Sequence, residues 1–235
     1  VTEQEWLACN DPVPMLEFLR RKASARKLRL LACACCRQVW DRLEQEGSRH
    51  AVEVAESFAD SLASYKRLQL ARNISTESKD PIPFGGAIAC AWYATAKSAR
   101  DAAEGAARTS QVANSPDWDA ACRKADRTRS RADREAVGLV GKRETKLAKK
   151  AQVGLVLDLF GNPFRPITLD PTWRTPAVVQ LARSLYEERR FEDMPVLADA
   201  LEEAGCQDAA VLGHCRSPGP HVRECWAVDL MLGRS

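Results

Sequence analysis

The chain has 235 residues, 45% of them hydrophobic and 29% charged, with a formal net charge of +3. That is long enough to bury a core without staples and ordinary for a globular protein. No apolar run approaches the roughly 20 residues needed to span a bilayer, and the opening "VTEQEWLACNDPVPM" lacks the basic n-region of a secretory leader. Nine cysteines, an odd number at irregular spacing, then predict free thiols in a reducing, cytoplasmic setting.

Helical periodicity dominates, and strand-type alternation is almost absent, so the expected class is all-α. The first unit is placed at 1–74. In it "TEQE" forms a capping-box pattern, with Thr2 as cap and Glu5 three residues on. "DPVPMLEFLRRKA" predicts a short helix. "SARKLRLLACACCRQVWDRLEQEG" predicts a longer one, capped by Ser24 and stopped by Gly47. At 100° per residue, Leu28, Leu31, Ala32, Cys35, Val39 and Leu43 share one face, with Cys36 beside them and Cys33 at the edge. The three thiols therefore read as small hydrophobes on a buried helix. "SRHAVEVAESFADSLAS" repeats the pattern, with Ser48 as cap and Ala51, Val54, Ala55, Phe58 and Leu62 on one face.

A Ser/Pro/Gly-rich linker is expected at 75–85, then an Ala-rich, charged helical hairpin over 86–160, broken near "NSPDW". It carries the clearest binding signal. Lys124, Arg127, Arg131 and Arg134 recur at 3-4-3 spacing, which puts four cations on one face of a continuous helix. Residues 117–150 hold eleven bases and six acids, a net +5. Such a stripe can neutralise phosphates, although Trp118 is the only aromatic nearby for base stacking, and a solvated face is the plainer account.

The last unit, 161–235, opens on the proline-rich turn "FGNPFRPITLDP". "TPAVVQLARSLYEER" predicts a helix with Thr175 as cap and Pro176 in its first position, its apolar stripe being Val178, Leu181, Ala182, Leu185 and Tyr186. "FEDMPVLADALEEAG" follows with Gly205 as terminator, then the short "QDAAVLGHC" and the apolar "SPGPHVRECWAVDLMLG". Four short helices in this span predict a compact bundle-like module. Charge is divided along the chain: 20–42 holds eight bases and one acid, 187–208 eight acids and two bases. The two segments either attract each other or meet different partners.

Chemistry is sparse. There is no phosphate-cradling glycine loop, no H-E-x-x-H and no G-x-S-x-G. The three histidines are His50, His214 and His221, and each reads first as structural. His214, Cys215, His221 and Cys225 form an H-C-x5-H-x3-C arrangement, and Cys33 with Cys36 lie one helical turn apart; both are the metal alternative to packed thiols. Asp229, inside the apolar "CWAVDLML", must find a partner.

"EWLACNDPVPMLEFLRRKASARKLRLLACACCRQVW" resembles the N-terminal signature of a family of planctomycete proteins of the Gemmata type. "LVLDLFGNPFRPITLDPTWRTPAVVQLARSLYEERRFEDMPVLADALEEAGCQDAAVLGHCRSPGPHVRECWAVDLMLG" is similar to that family's C-terminal module. The resemblance covers about half the chain. It implies a module that occurs beside different neighbours, as an interaction module does, and it implies no activity, cofactor or catalytic residue. The sequence thus predicts a non-enzymatic cytoplasmic interaction or scaffold protein with a protein partner, no cofactor and no membrane. Nucleic-acid binding through the basic segment 20–42 and through Lys124, Arg127, Arg131 and Arg134 is the alternative, and metal or redox chemistry at cysteines a third reading.

Overall fold

The computed structural model describes residues 1–75, 87–113 and 116–234. The described residues form thirteen α-helices and three short 3-10 turns, with no strand among them, so the protein is all-α as expected. In chain order the helices are α1 (Glu3–Leu7), α2 (Pro12–Leu19), α3 (Ala25–Arg37), α4 (Glu46–Ala59), α5 (Tyr65–Ile74), α6 (Ala87–Ala94) and α7 (Ala99–Ala113). Then come α8 (Pro116–Thr128), α9 (Arg131–Phe160), α10 (Pro176–Glu188), α11 (Met194–Glu203), α12 (Ala209–Cys215) and α13 (Trp226–Leu232). No helix among the described residues is long and apolar enough to cross a membrane.

The helices fall into two compact units, Cys9–Val153 and Gly154–Ser235, the second also taking Thr2–Ala8. The division runs through α9 and not through a linker at 75–85, which lies outside the described residues apart from Ser75. The reason is the Ala face of α7. Ala102, Ala103, Ala106 and Ala107 are buried, and α7 packs on α3 and α6, because small side chains let helix backbones approach closely. The start of the Ala-rich stretch is therefore core of the first unit and not a separate hairpin.

Within that unit α3 is the central element. The Ser24 hydroxyl accepts from the Lys27 amide and starts the helix. Cys33, Cys35 and Cys36 are all buried, as the apolar arc predicts. Two charged side chains, Arg29 and Glu56, are buried in the same unit and satisfied. Arg29 donates to the carbonyls of Ala94 and Lys97, closing the end of α6, and Arg37 makes a two-pronged pair with Glu56 at 2.9–3.0 Å.

Four local expectations are corrected. Gly47 does not end a helix: α3 stops at Arg37, and Gly47 lies in the first turn of α4, where an added Cβ would meet Ile74 Cγ2 at 3.0 Å. Close packing, not a left-handed cap, explains the glycine. Ser48 is buried inside α4 and does not cap it, and Leu62 falls past the helix end and is 73% exposed. The region beyond α7 contains α8 and α9 rather than one long helix, because Arg129 takes a left-handed backbone conformation with φ of 50°.

The second unit contains the four short helices α10–α13 together with the end of α9 from Gly154. Thr175 caps α10 with Pro176 in its first turn, and Gly205 and Gly233 end α11 and α13 with positive φ. Val178, Ala182, Leu185 and Tyr186 join Met194, Leu197, Leu201, Val211, Val228 and Met231 in one core. α1 belongs to this unit. Thr2 and Glu5 form the capping box, fully buried Trp6 donates its indole N–H to the Gly161 carbonyl at 3.1 Å, and Glu3 pairs with Arg165 and Asn162.

Candidate metal centre

The last turns of α9 are buried on nearly every side, at Val153, Leu155, Val156 and Leu159. Asp158 sits among them with its side chain 2% exposed. A carboxylate in such a place needs partners, and the segment 216–225 between α12 and α13 supplies them. Gly154, one turn earlier, lets this segment approach: a Cβ there would meet Pro220 Cγ at 3.0 Å and Cδ at 3.2 Å. Val222 then donates its amide to Asp158 Oδ2 at 2.9 Å.

The other oxygen, Oδ1, faces two imidazoles. His221 Nδ1 lies 3.0 Å from it and His214 Nε2 3.2 Å. His214 Nε2 also lies 3.0 Å from Cys225 Sγ. One ligand atom from each of Asp158, His214, His221 and Cys225 falls within 4.8 Å of all the others, the only such group of three or more donors among the described residues.

This geometry discriminates between two chemistries. A Cys–His–Asp relay needs the histidine to use its two nitrogens separately, one toward the nucleophile and one toward the carboxylate. Here the same nitrogen of His214 faces both groups, so three donors converge on one point. Cys225 is also fully buried and closed to a substrate. Convergence is what a cation requires. Metal–ligand bonds of about 2.0–2.3 Å in a tetrahedron put donors about 3.3–3.6 Å apart, close to the 3.0–3.2 Å contacts seen here.

The surroundings fit as well. His221 Nε2 lies 3.0 Å from the Ser217 carbonyl, which can only accept, so Nε2 carries a proton and Nδ1 is the atom turned to the centre. The rings of His214 and Trp226 pack 4.9 Å apart and hold the His214 ring. Burial opposes the charge on Asp158, but His214, His221 and the Val222 amide outweigh it and hold the carboxyl below its usual range. Burial also opposes a charged His221, yet Asp158 raises its pKa above the ordinary imidazole value. Burial, then the Asp158 charge, pushes the Cys225 thiol far up, while the Val228 and Ala227 amides at the start of α13 favour its thiolate. A bound cation reverses the balance at such a thiol and deprotonates it.

Of the alternative arrangement His214, Cys215, His221 and Cys225, three residues lie in this donor group. Cys215 is not part of it. Adjacent residues on α12 point about 100° apart, and Cys215 turns into the α10–α13 core, where burial pushes its thiol up to about 12. Asp158 takes its place. Cys33 and Cys36 belong to no donor group, His50 is exposed on α4, and Asp229 is buried on α13 outside the centre.

The basic stripe is placed differently from its spacing. Lys124 and Arg127 lie on α8, Arg131 and Arg134 on α9, with the Arg129 turn between them. All four are exposed; Lys124 pairs with Asp133 at 2.8 Å and Arg131 with Glu135 at 2.9 Å. No family profile, no curated protein and no solved structure matches the chain.

Proposed function

We propose that the chain is a metal-binding helical protein in which one divalent ion of the zinc class staples the C-terminal unit. The observation that supports this best is the double contact of His214 Nε2 with Asp158 and Cys225. One thiolate, two imidazoles and one carboxylate make a borderline-soft donor set that suits zinc and disfavours magnesium or calcium. The Val222 amide occupies the second oxygen of Asp158, so the carboxylate would bind through one oxygen and the four residues would supply the four donors of a tetrahedral site. A site closed by four protein ligands is structural, since a catalytic zinc keeps a position for water. The ion would tie α9, α12 and the 216–225 segment together, and the protein would act through the surfaces so held, as an interaction or scaffold module.

The test is elemental analysis of untagged protein, with circular dichroism before and after a strong chelator. One zinc-class ion per chain, and a lower melting temperature once it is removed, is the expected result. A fully folded, metal-free protein that neither takes up zinc nor gains stability from it would falsify the proposal.

A further inference from the structure

The first unit contains a second pair of donors that the metal centre does not use. Cys36 on α3 and Cys90 on α6 are both fully buried, and their sulfurs lie 2.9 Å apart where the two helices pack. The neighbouring thiols are directed elsewhere: Cys33 Sγ is 3.9 Å from the Val52 carbonyl, and Cys35 is turned toward Ser110. No third donor joins the pair among the described residues, so it is not a metal site.

We propose that Cys36 and Cys90 are a disulfide-forming pair that cross-links α3 to α6. The oxidant is a small-molecule disulfide such as oxidised glutathione. One cysteine attacks it as the thiolate, forming a mixed disulfide and releasing one glutathione; the second cysteine displaces the other glutathione and closes the bond. One S–S bond breaks and one forms, two electrons pass from the cysteines to glutathione, and the two thiol protons leave on the two glutathione thiols. Full burial closes both sulfurs to reagents in the folded state, so exchange takes place before α6 docks on α3. Once docked, either redox form is protected. The link closes a loop between residues 36 and 90, which restricts the unfolded chain and stabilises the oxidised form.

The whole chain is refolded with zinc sulfate in a glutathione redox buffer and, in parallel, in excess reductant. Free thiols are then alkylated and the protein digested and sequenced by mass spectrometry, with fragmentation to assign the sulfur. A dominant Cys36–Cys90 link, a native helical spectrum and a urea midpoint above that of the reduced protein are expected. Cys36→Ala and Cys90→Ala should each remove the redox dependence of the midpoint. The proposal fails if both cysteines are alkylated in natively refolded oxidised protein, if Cys33 or Cys35 is the main partner of Cys90, or if the linked product has lost helix. The mapping is made on the unaltered chain, so it decides the matter even if a variant does not fold.

Discussion

Asp158→Asn is the sharpest perturbation of the metal centre, because it changes charge and donor capacity at constant shape. Asp158 meets the Val222 amide on one oxygen and both imidazoles on the other. Asparagine has one acceptor atom and one donor group at these two places. Either its NH2 faces the Val222 amide, or it faces the histidines and no longer ligates. An unsatisfied buried donor costs about 1–3 kcal/mol. Loss of the ion adds to this: free metal at a thousand times its dissociation constant stabilises the folded state by about 4 kcal/mol. Urea unfolding with and without chelator separates the two contributions. The native chain should lose about 4 kcal/mol on chelation under that metal excess, whereas Asp158→Asn should start lower and respond little to chelator. An Asp158→Asn protein with the same chelator-dependent loss as the native chain would refute the assignment of Asp158 as a ligand.

Arg37→Met removes the two-pronged guanidinium pair from buried Glu56 and should lower stability in urea unfolding by up to about 3–5 kcal/mol, and the further change Glu56→Gln should recover part of that loss. Replacing Lys124, Arg127, Arg131 and Arg134 together by Gln should move stability by no more than about 0.5 kcal/mol per site, since all four are exposed; a larger loss would show that the stripe holds the fold. At Asp11 burial raises the pKa, but the Lys149 ammonium and the Val13 amide outweigh it, so the folded value is depressed. Its contribution is therefore present above the unfolded pKa near 3.9 and is lost as pH falls through the lower folded value. Asp11→Asn should flatten the acid limb of a stability–pH curve and leave its neutral limb parallel to the native one.

Much of the fold can be read from local chemistry. The Thr2/Glu5 capping box, the Ser24 cap and the Thr175–Pro176 start each depend on residues within one turn, and each forms as the sequence predicts. The buried thiols of α3 follow from periodicity alone. Errors arise where a residue serves a distant neighbour. Gly47 looks like a stop signal but makes room for Ile74, and the turn at Arg129 has no glycine or proline to announce it. The metal centre shows the same limit. His214, His221 and Cys225 are close in sequence and visible as a cluster, whereas Asp158 is 56 residues from His214. Its only local sign is a carboxylate inside the apolar run "VGLVLDLF". Asp229 in "CWAVDLML" gives the same sign, and nothing local distinguishes the carboxylate that meets two imidazoles from the one that does not.

X-ray absorption at the metal edge of the purified native protein addresses the centre most directly. The expected first shell has one sulfur at about 2.3 Å and three nitrogen or oxygen atoms at about 2.0–2.2 Å. A shell without sulfur, one with two or more sulfurs, or a six-oxygen shell would contradict the convergence of Asp158, His214, His221 and Cys225 on a single ion.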